Sequence, residues 1–220
     1  MIVYKLTDKD GRTFGDCQWG EGISRKTKKE GATLCTDEVI HAYRDPYLAI
    51  FANPIQGGFD SETMLLWECE ASNPVADDGL KIGVKELTTI RQIPIPCLST
   101  EQIIKIAILS AKEVYKNKRW NKWADGWLSG EDRTLAAAAI AAHDAADAAV
   151  HTYATEAVAY PAYSAYSTAR AAVRAATYAT EAVAYATEAA AFSTARARAA
   201  GDSKYPDILA IILKVVKGQK

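Results

Sequence analysis

The sequence predicts an α+β protein, a small antiparallel sheet module followed by an alanine-rich helical bundle, and three observations carry that prediction. Residues 1 to about 98 hold most of the glycine and proline, all four cysteines and a series of short β-branched runs. Residues 99 to 217 are dominated by helix formers, with alanine at about half of positions 136 to 200. The phrase YATEAVAY stands at Tyr153 to Tyr160 and again at Tyr178 to Tyr185, where it runs on into ATEAAAF. Two parts are therefore expected, a mixed β-rich module with one short helix over 1–98 and a helical domain with heptad-like repeats over 99–220.

In the first part MIVYKL alternates as a half-buried strand does, and DKDG before RTF signals a turn, so a hairpin is expected to open the fold. EVIHAY reads as another short strand. In RDPYLAIFANP, Asp45 can cap the first amides of a helix, Pro46 suits its first turn, and Asn53-Pro54 should stop it. TMLLWECEA, LKIGVKEL and TTIRQIPIP supply three further strands, with a bulge or turn near Glu86.

The second part opens on STEQIIKIAILSAKEVY, where Ser99 and Gln102 have the spacing of a capping box. Ile103, Ile106, Ala107, Leu109, Ala111 and Val114 mark the apolar face of that helix. Trp120, Trp123 and Trp127 follow at intervals of three and four, so the indoles share one side of a short helix that Gly130 terminates. We read them as a core stripe, because a platform for stacking bases would interleave basic residues on the same face.

From Glu131 to Ala200 there is no glycine; Asp132 can cap the start of this run and Gly201 ends it. One uninterrupted helix would be on the order of 100 Å long at about 1.5 Å per residue, so the run must fold back or meet other chains. Pro161, which removes an amide and disfavours helix at Tyr160, is the expected break. Tyr178, Tyr185 and Phe192 recur every seven residues, with Ala182 and Ala189 four places after the tyrosines. With Tyr153 and Tyr160 they define a seam on which methyl-sized side chains let backbones approach closely. Such a seam suits a tight bundle or a homo-oligomer interface.

Charge and cysteine usage exclude several classes. The balance of 26 basic and 27 acidic residues gives a formal charge of -1, so no global field draws the chain to nucleic acid or an anionic membrane, and neither is an expected partner. Charges appear by the fifth residue, and the apolar run ILAIILKVV near the end is too short to span a bilayer, so a cytoplasmic location is expected. Cys17, Cys35, Cys69 and Cys97 form no C-x-x-C pair; they are expected to be buried apolar side chains in a reducing compartment. A zinc site combining some of them with His41 lacks any familiar spacing, and His143 and His151, two turns apart, make a poor alternative. No metal and no cofactor is expected.

The stretches MIVYKLTDKDGRTF, QWGEG, LCTDEVIHAYRDPYLAIFANP, LLWECEA and DDGLKIGVKELTTIRQIP together resemble the opening domain of a family of uncharacterised proteins carried by phages and prophages. The shared features are the tyrosine-lysine opening strand, a cysteine a few residues before a histidine-alanine pair, here Cys35 and His41-Ala42, and a lysine-rich paired strand. Many members run on into alanine-rich repeats. The resemblance implies no activity. It implies a phage or mobile-element accessory protein acting in the host cytoplasm, with inhibition of a host defence system, anti-CRISPR-like or signal-sequestering, as the most concrete role.

No nucleophile, metal cluster or phosphate loop stands at motif spacing, so no catalytic residue is assigned. The chain is expected to work by binding a protein, through Trp19, His41, Tyr43, Arg44 and Tyr47, because aromatic and arginine side chains supply most interface energy. Two other readings compete. His41, Arg44, Glu68 and Glu70 could form a cleft like that of a mono-ADP-ribosyltransferase, although Glu68 and Glu70 alternate with Trp67 and Cys69 as the outer face of a strand does. Alternatively, the alanine-rich helices could serve a purely structural homo-oligomer.

Overall fold

The computed structural model describes residues 1–114, 116–134, 136–138, 140–141 and 207–218. Antiparallel strands occupy residues 2–93 and helices follow, which makes the protein α+β. Backbone contacts divide the chain into two units, Met1–Cys97 and Leu98–Lys220.

The first unit holds more than one sheet. β1 (Ile2–Thr7), β4 (Ser24–Lys26), β6 (Leu65–Ala71) and β9 (Glu86–Ile93) form a four-stranded sheet in the order β1-β6-β9-β4. β5 (Ile40–Ala42), β7 (Ala76–Asp77) and β8 (Ile82–Val84) form a second in the order β5-β8-β7, and β2 (Arg12–Thr13) pairs with β3 (Cys17–Gln18). The break expected near Glu86 is where the chain passes from one sheet to the other: β8 ends at Val84 and β9 begins at Glu86. Between them the Lys85 carbonyl accepts from the Thr27 amide at 3.0 Å, which ties this junction to the end of β4.

The opening hairpin is a correction. The turn forms at Asp8 to Gly11, with the Asp8 amide donating to the Arg12 carbonyl at 2.9 Å, but the ladder partner of β1 is β6, sixty residues on. Both faces of β1 are covered, so a long strand was available to bury and the two-residue β2 could not supply it. Val3, Lys5 and Thr7 face Trp19, Trp67, Cys69 and Val84; Leu6, on the other side, packs with Leu66, Tyr43 and Ala49. Trp67 donates its indole N–H to the Thr7 hydroxyl at 3.1 Å, which satisfies two polar groups in the core.

α1 (Pro46–Gln56) begins as expected, with the Asp45 carboxylate accepting from the Tyr47 amide and Pro46 in the first turn. It does not stop at Asn53-Pro54. The Asn53 carbonyl accepts from the amides of Gly57 and Gly58, and the Asn53 side chain exchanges two hydrogen bonds with the backbone of Phe59, at 2.7 and 3.1 Å. That anchor holds the exit of the helix and offsets the amide missing at Pro54.

In the second unit, α2 (Thr100–Val114) has both bonds of its capping box, Gln102 amide to Ser99 hydroxyl at 3.2 Å and Ser99 amide to Gln102 Oε1 at 2.9 Å. Among its described side chains Ile104, Ile106, Ala107, Ile108, Ser110 and Ala111 are buried, whereas the expected Ile103 and Leu109 are half-exposed; the side chain of the expected Val114 lies outside the described ones. α2 packs against both α3 (Lys118–Ser129) and α4 (Ile208–Val216), and two neighbours bury a wider face than one stripe. The three tryptophans of α3 are core residues: Trp120, Trp123 and Trp127 are all buried, and the first two rings lie 5.5 Å apart at 59°. Gly130 ends α3 in the left-handed conformation, φ +84. After it, Thr134 rather than Asp132 takes the capping place, its carbonyl accepting from the Ala138 amide and its hydroxyl from the Ala137 amide; Asp132 in turn accepts from Thr134.

The seam at Tyr153, Tyr160, Tyr178, Ala182, Tyr185, Ala189 and Phe192, the break at Pro161, and His143 and His151 all lie outside the described residues. Among the described residues no helix is long and apolar enough to cross a membrane.

Trp120 is fully enclosed, so Trp120→Ala is expected to destabilise the second unit by about 3–5 kcal/mol. Gly130→Ala should cost about 1 kcal/mol, the strain of a β-carbon at positive φ. Urea titration followed by far-UV circular dichroism and tryptophan fluorescence reads both values, and their order must not invert.

Candidate functional site

The polar interior of the first unit is organised around Lys5. Strand alternation puts its side chain on the same face as Val3 and Thr7, and the residue is 7% exposed. Its ammonium donates to the His41 carbonyl at 2.9 Å and stands 4.7 Å from the centre of the Trp19 ring. Burial lowers its pKa to about 8, partly opposed by the thiols of Cys69 and Cys17. One cation thereby joins β1, β5 and the segment carrying Trp19.

Trp19 anchors a short hairpin. Its amide donates to the Gly11 carbonyl at 2.7 Å and its indole N–H to the Thr13 hydroxyl at 3.1 Å. Gly11 has φ +77, and a β-carbon there would stand 2.6 Å from the Trp19 carbonyl oxygen, so no other residue fits under the hairpin. Between β2 and β3 a single 3-10 turn, Phe14–Asp16, reverses the chain through positive φ at Gly15 and Asp16. At its tip the Phe14 ring is fully exposed. Other apolar side chains of this unit, such as Ile2 and Val75, are exposed only in part, and a fully exposed aromatic ring on a tight turn is a surface feature that solvent alone does not account for.

A second cluster lies along the long loop between β4 and β5. Lys85 binds that loop through one ammonium, donating to the carbonyls of Lys29 and Glu38 at 3.0 and 2.8 Å and also to that of Gly31. Farther along, Cys35 has φ +65, its amide donates to His41 Nε2 at 2.8 Å, and its sulfur accepts from Lys81 Nζ at 3.0 Å. Lys81 is placed by the turn ADDGL: Asp78 Oδ1 accepts from its amide at 2.8 Å and from that of Leu80 at 2.9 Å. Burial, then the Lys81 and Lys5 ammonium groups, lower the His41 pKa to about 4. The ring is therefore neutral at pH 7, and because Nε2 accepts, its proton is assigned to Nδ1. His41 touches the amide of Cys35 and not its sulfur, so the two do not form a thiol-base dyad.

The residues singled out from the sequence fall into separate environments. Trp19 and Tyr43 place their rings in the core, 3% and 8% exposed, where they hold the unit together and present no area to a partner. The Tyr43 backbone exchanges two 2.8 Å bonds with Tyr4, and burial, reinforced by Asp78, pushes its phenol well above the ordinary value. Arg44 is exposed and pairs with Asp77 at 2.7 Å; Tyr47 is half-buried in the first turn of α1. Glu68 is held by Arg91 at 3.1 Å on the face of β6 opposite Trp67, as strand alternation indicated. Each polar group of the transferase-like cleft thus already carries a partner or, like Glu70, faces solvent.

The cysteines also need correction. Cys69 is buried, and its thiol is pushed up to about 12 by burial, but Cys35 and Cys97 are exposed and Cys17 is half-buried. Irregular backbone, with a left-handed residue at Cys35, holds that side chain out of the core. Lys5, Phe14 and Lys81 were missed by sequence reasoning. For Phe14 the available signal was an aromatic directly before Gly-Asp in a loop too short to fold over it; for Lys81 it was the lysine two places after DDG.

No family model, no curated protein and no solved structure matches this chain.

Two pH effects follow from these cations. Unfolded, Lys5 holds its proton to about 10.5; folded, it releases it near 8. Between those values the unfolded chain binds more protons and stability rises with pH, so the protein should gain on the order of 1 kcal/mol from pH 8 to 9 and Lys5→Met should gain none of it. The comparison stops at pH 9 because Cys69, whose pKa is raised, pulls the other way above it. His41 behaves likewise lower on the scale: stability falls as pH drops from 6.5 towards 4, and His41→Asn should lose less over that range. Urea midpoints at intervals of half a pH unit measure both.

Proposed function

We propose that the chain acts by binding a protein partner, and that Phe14 at the tip of the β2–β3 hairpin is the anchor of that contact. The observation that carries this reading is a fully exposed phenylalanine on a turn whose flanking backbone is tied to the core through Trp19. Such a side chain loses little conformational freedom on docking and buries a large apolar area in a partner's pocket. Arg12, exposed on the same hairpin, and Arg44, beside Asp77, supply polar contacts at hand on this unit. Binding is favoured over catalysis because the groups that would perform ADP-ribosyl chemistry are engaged elsewhere: His41 Nε2 with an amide, Glu68 with Arg91.

The resemblance of the first hundred residues to phage and prophage proteins directs the search for the partner to host defence components. The finer architecture belongs to the same proposal. The second unit is an alanine-rich helical bundle, and its seam of Tyr178, Ala182, Tyr185, Ala189 and Phe192 assembles copies of the chain, so that several hairpins act together.

The test is capture of host proteins by the immobilised chain, wild type against Phe14→Ala. A specific partner held by wild type should bind Phe14→Ala at least about tenfold more weakly, while the urea midpoint stays within about 0.5 kcal/mol of wild type. Equal retention of the partner by both would remove Phe14 from the interface. Release of nicotinamide from NAD by the wild type, lost in His41→Ala, would replace binding with catalysis. Light scattering over a dilution series speaks to assembly separately, and a monomer at every concentration defeats the seam.

A further inference from the structure

We propose that Cys35 and Lys81 form a peroxide-responsive covalent pair, in which oxidation of the thiol is followed by a sulfur–nitrogen bond to the lysine. The geometry that points to it has two independent sides. Cys35 is exposed, so a small oxidant reaches its sulfur. Lys81 is nine-tenths buried, and its nitrogen is held 3.0 Å from that sulfur.

Neither partner is free to drift. The Cys35 amide is bonded to His41, and positive φ at this residue fixes the direction of its side chain. Asp78 holds the Lys81 backbone, and the side chain runs through the interior to reach the sulfur. A buried ammonium needs an acceptor, and a thiol is a weak one. Oxidation of the sulfur places an oxygen, a better acceptor, against the same ammonium.

The steps balance. The sulfur attacks one oxygen of hydrogen peroxide, the O–O bond breaks, and Cys35 becomes a sulfenic acid as water leaves; sulfur is oxidised by two electrons and peroxide reduced by two. Lys81 then gives a proton to solvent and its nitrogen attacks the sulfur. The S–O bond breaks, the departing hydroxide takes one of the two protons left on nitrogen and leaves as a second water, and an S–NH bond stands in place of the thiol and the ammonium. A thiol reductant reverses the product by attacking sulfur and returning the amine. Cys69 takes no part, since it is buried and its thiol is held protonated. The link would clamp the loop carrying Cys35 to the turn before β8 and remove one positive charge, so a surface loop becomes a peroxide-dependent element of this unit.

Intact-mass analysis of the full chain after brief exposure to hydrogen peroxide should show loss of two hydrogen atoms, restored by dithiothreitol. A tryptic map should join the peptide containing Cys35 to one in which cleavage at Lys81 is blocked. In Lys81→Arg, which keeps the charge but offers a poor nucleophile, the sulfenic acid should persist, and dimedone should label Cys35 several-fold more than in wild type. The proposal is overturned if the map shows Cys35 in a disulfide with Cys17 or Cys97, if dimedone labels wild type and Lys81→Arg equally, or if Cys35 survives peroxide unchanged. The wild-type map alone decides the matter should Lys81→Arg fail to fold.

Discussion

The first unit depends on an ammonium that has been taken out of water. Lys5 lies on a strand with both faces covered, and a buried cation is tolerated only with an acceptor and a compensating field. The His41 carbonyl supplies the acceptor and the Trp19 ring the negative face. Satisfying one charge in this way ties together the opening strand, the strand that carries His41 and the base of the β2–β3 hairpin. The hairpin is too short to be stable alone, and it is rigid because Trp19 is committed to the core.

Lysines elsewhere in this unit do related work by different means. Lys85 gathers three carbonyls of a long irregular loop onto one ammonium, and Lys81 reaches the cysteine that the same loop presents. A segment with little regular structure of its own must have its backbone groups satisfied by side chains, and lysines from the β-strand region provide that. The polar residues that look chemical in the sequence each hold a neighbour as well. His41 accepts from the Cys35 amide, Glu68 pairs with Arg91 and Arg44 pairs with Asp77. At the surface of this unit Phe14 is a fully exposed aromatic side chain, and Cys35 is an exposed cysteine whose sulfur is met by Lys81.

Local signals were legible wherever a few adjacent residues decide the outcome. The Asp45-Pro46 start of α1 and the Ser99 and Gln102 box of α2 follow from side chains bonding backbone within one turn, the Gly130 terminus from a left-handed backbone conformation, and the tryptophan stripe from helical spacing. Failures fell where a distant segment competed. The DKDG turn formed, yet β1 paired with β6, because the longer ladder and its two buried faces outweighed the nearer strand. Asn53-Pro54 did not end its helix because a side chain bonded forward to Phe59. On α2 nearly every candidate position is apolar, so periodicity could not choose among overlapping faces until helices on two sides had done so.

By itself the sequence determined the α+β class, the change of character near residue 98, the antiparallel strands and the caps, since these rest on propensity, alternation and short-range hydrogen bonds. Only the tertiary structure decided that Lys5 is inside, that Trp19 and Tyr43 are core and Phe14 is bare, and that Cys35 meets Lys81 across forty-six positions of chain. Burial is a property of what lies opposite a side chain, and no window along the chain contains that partner.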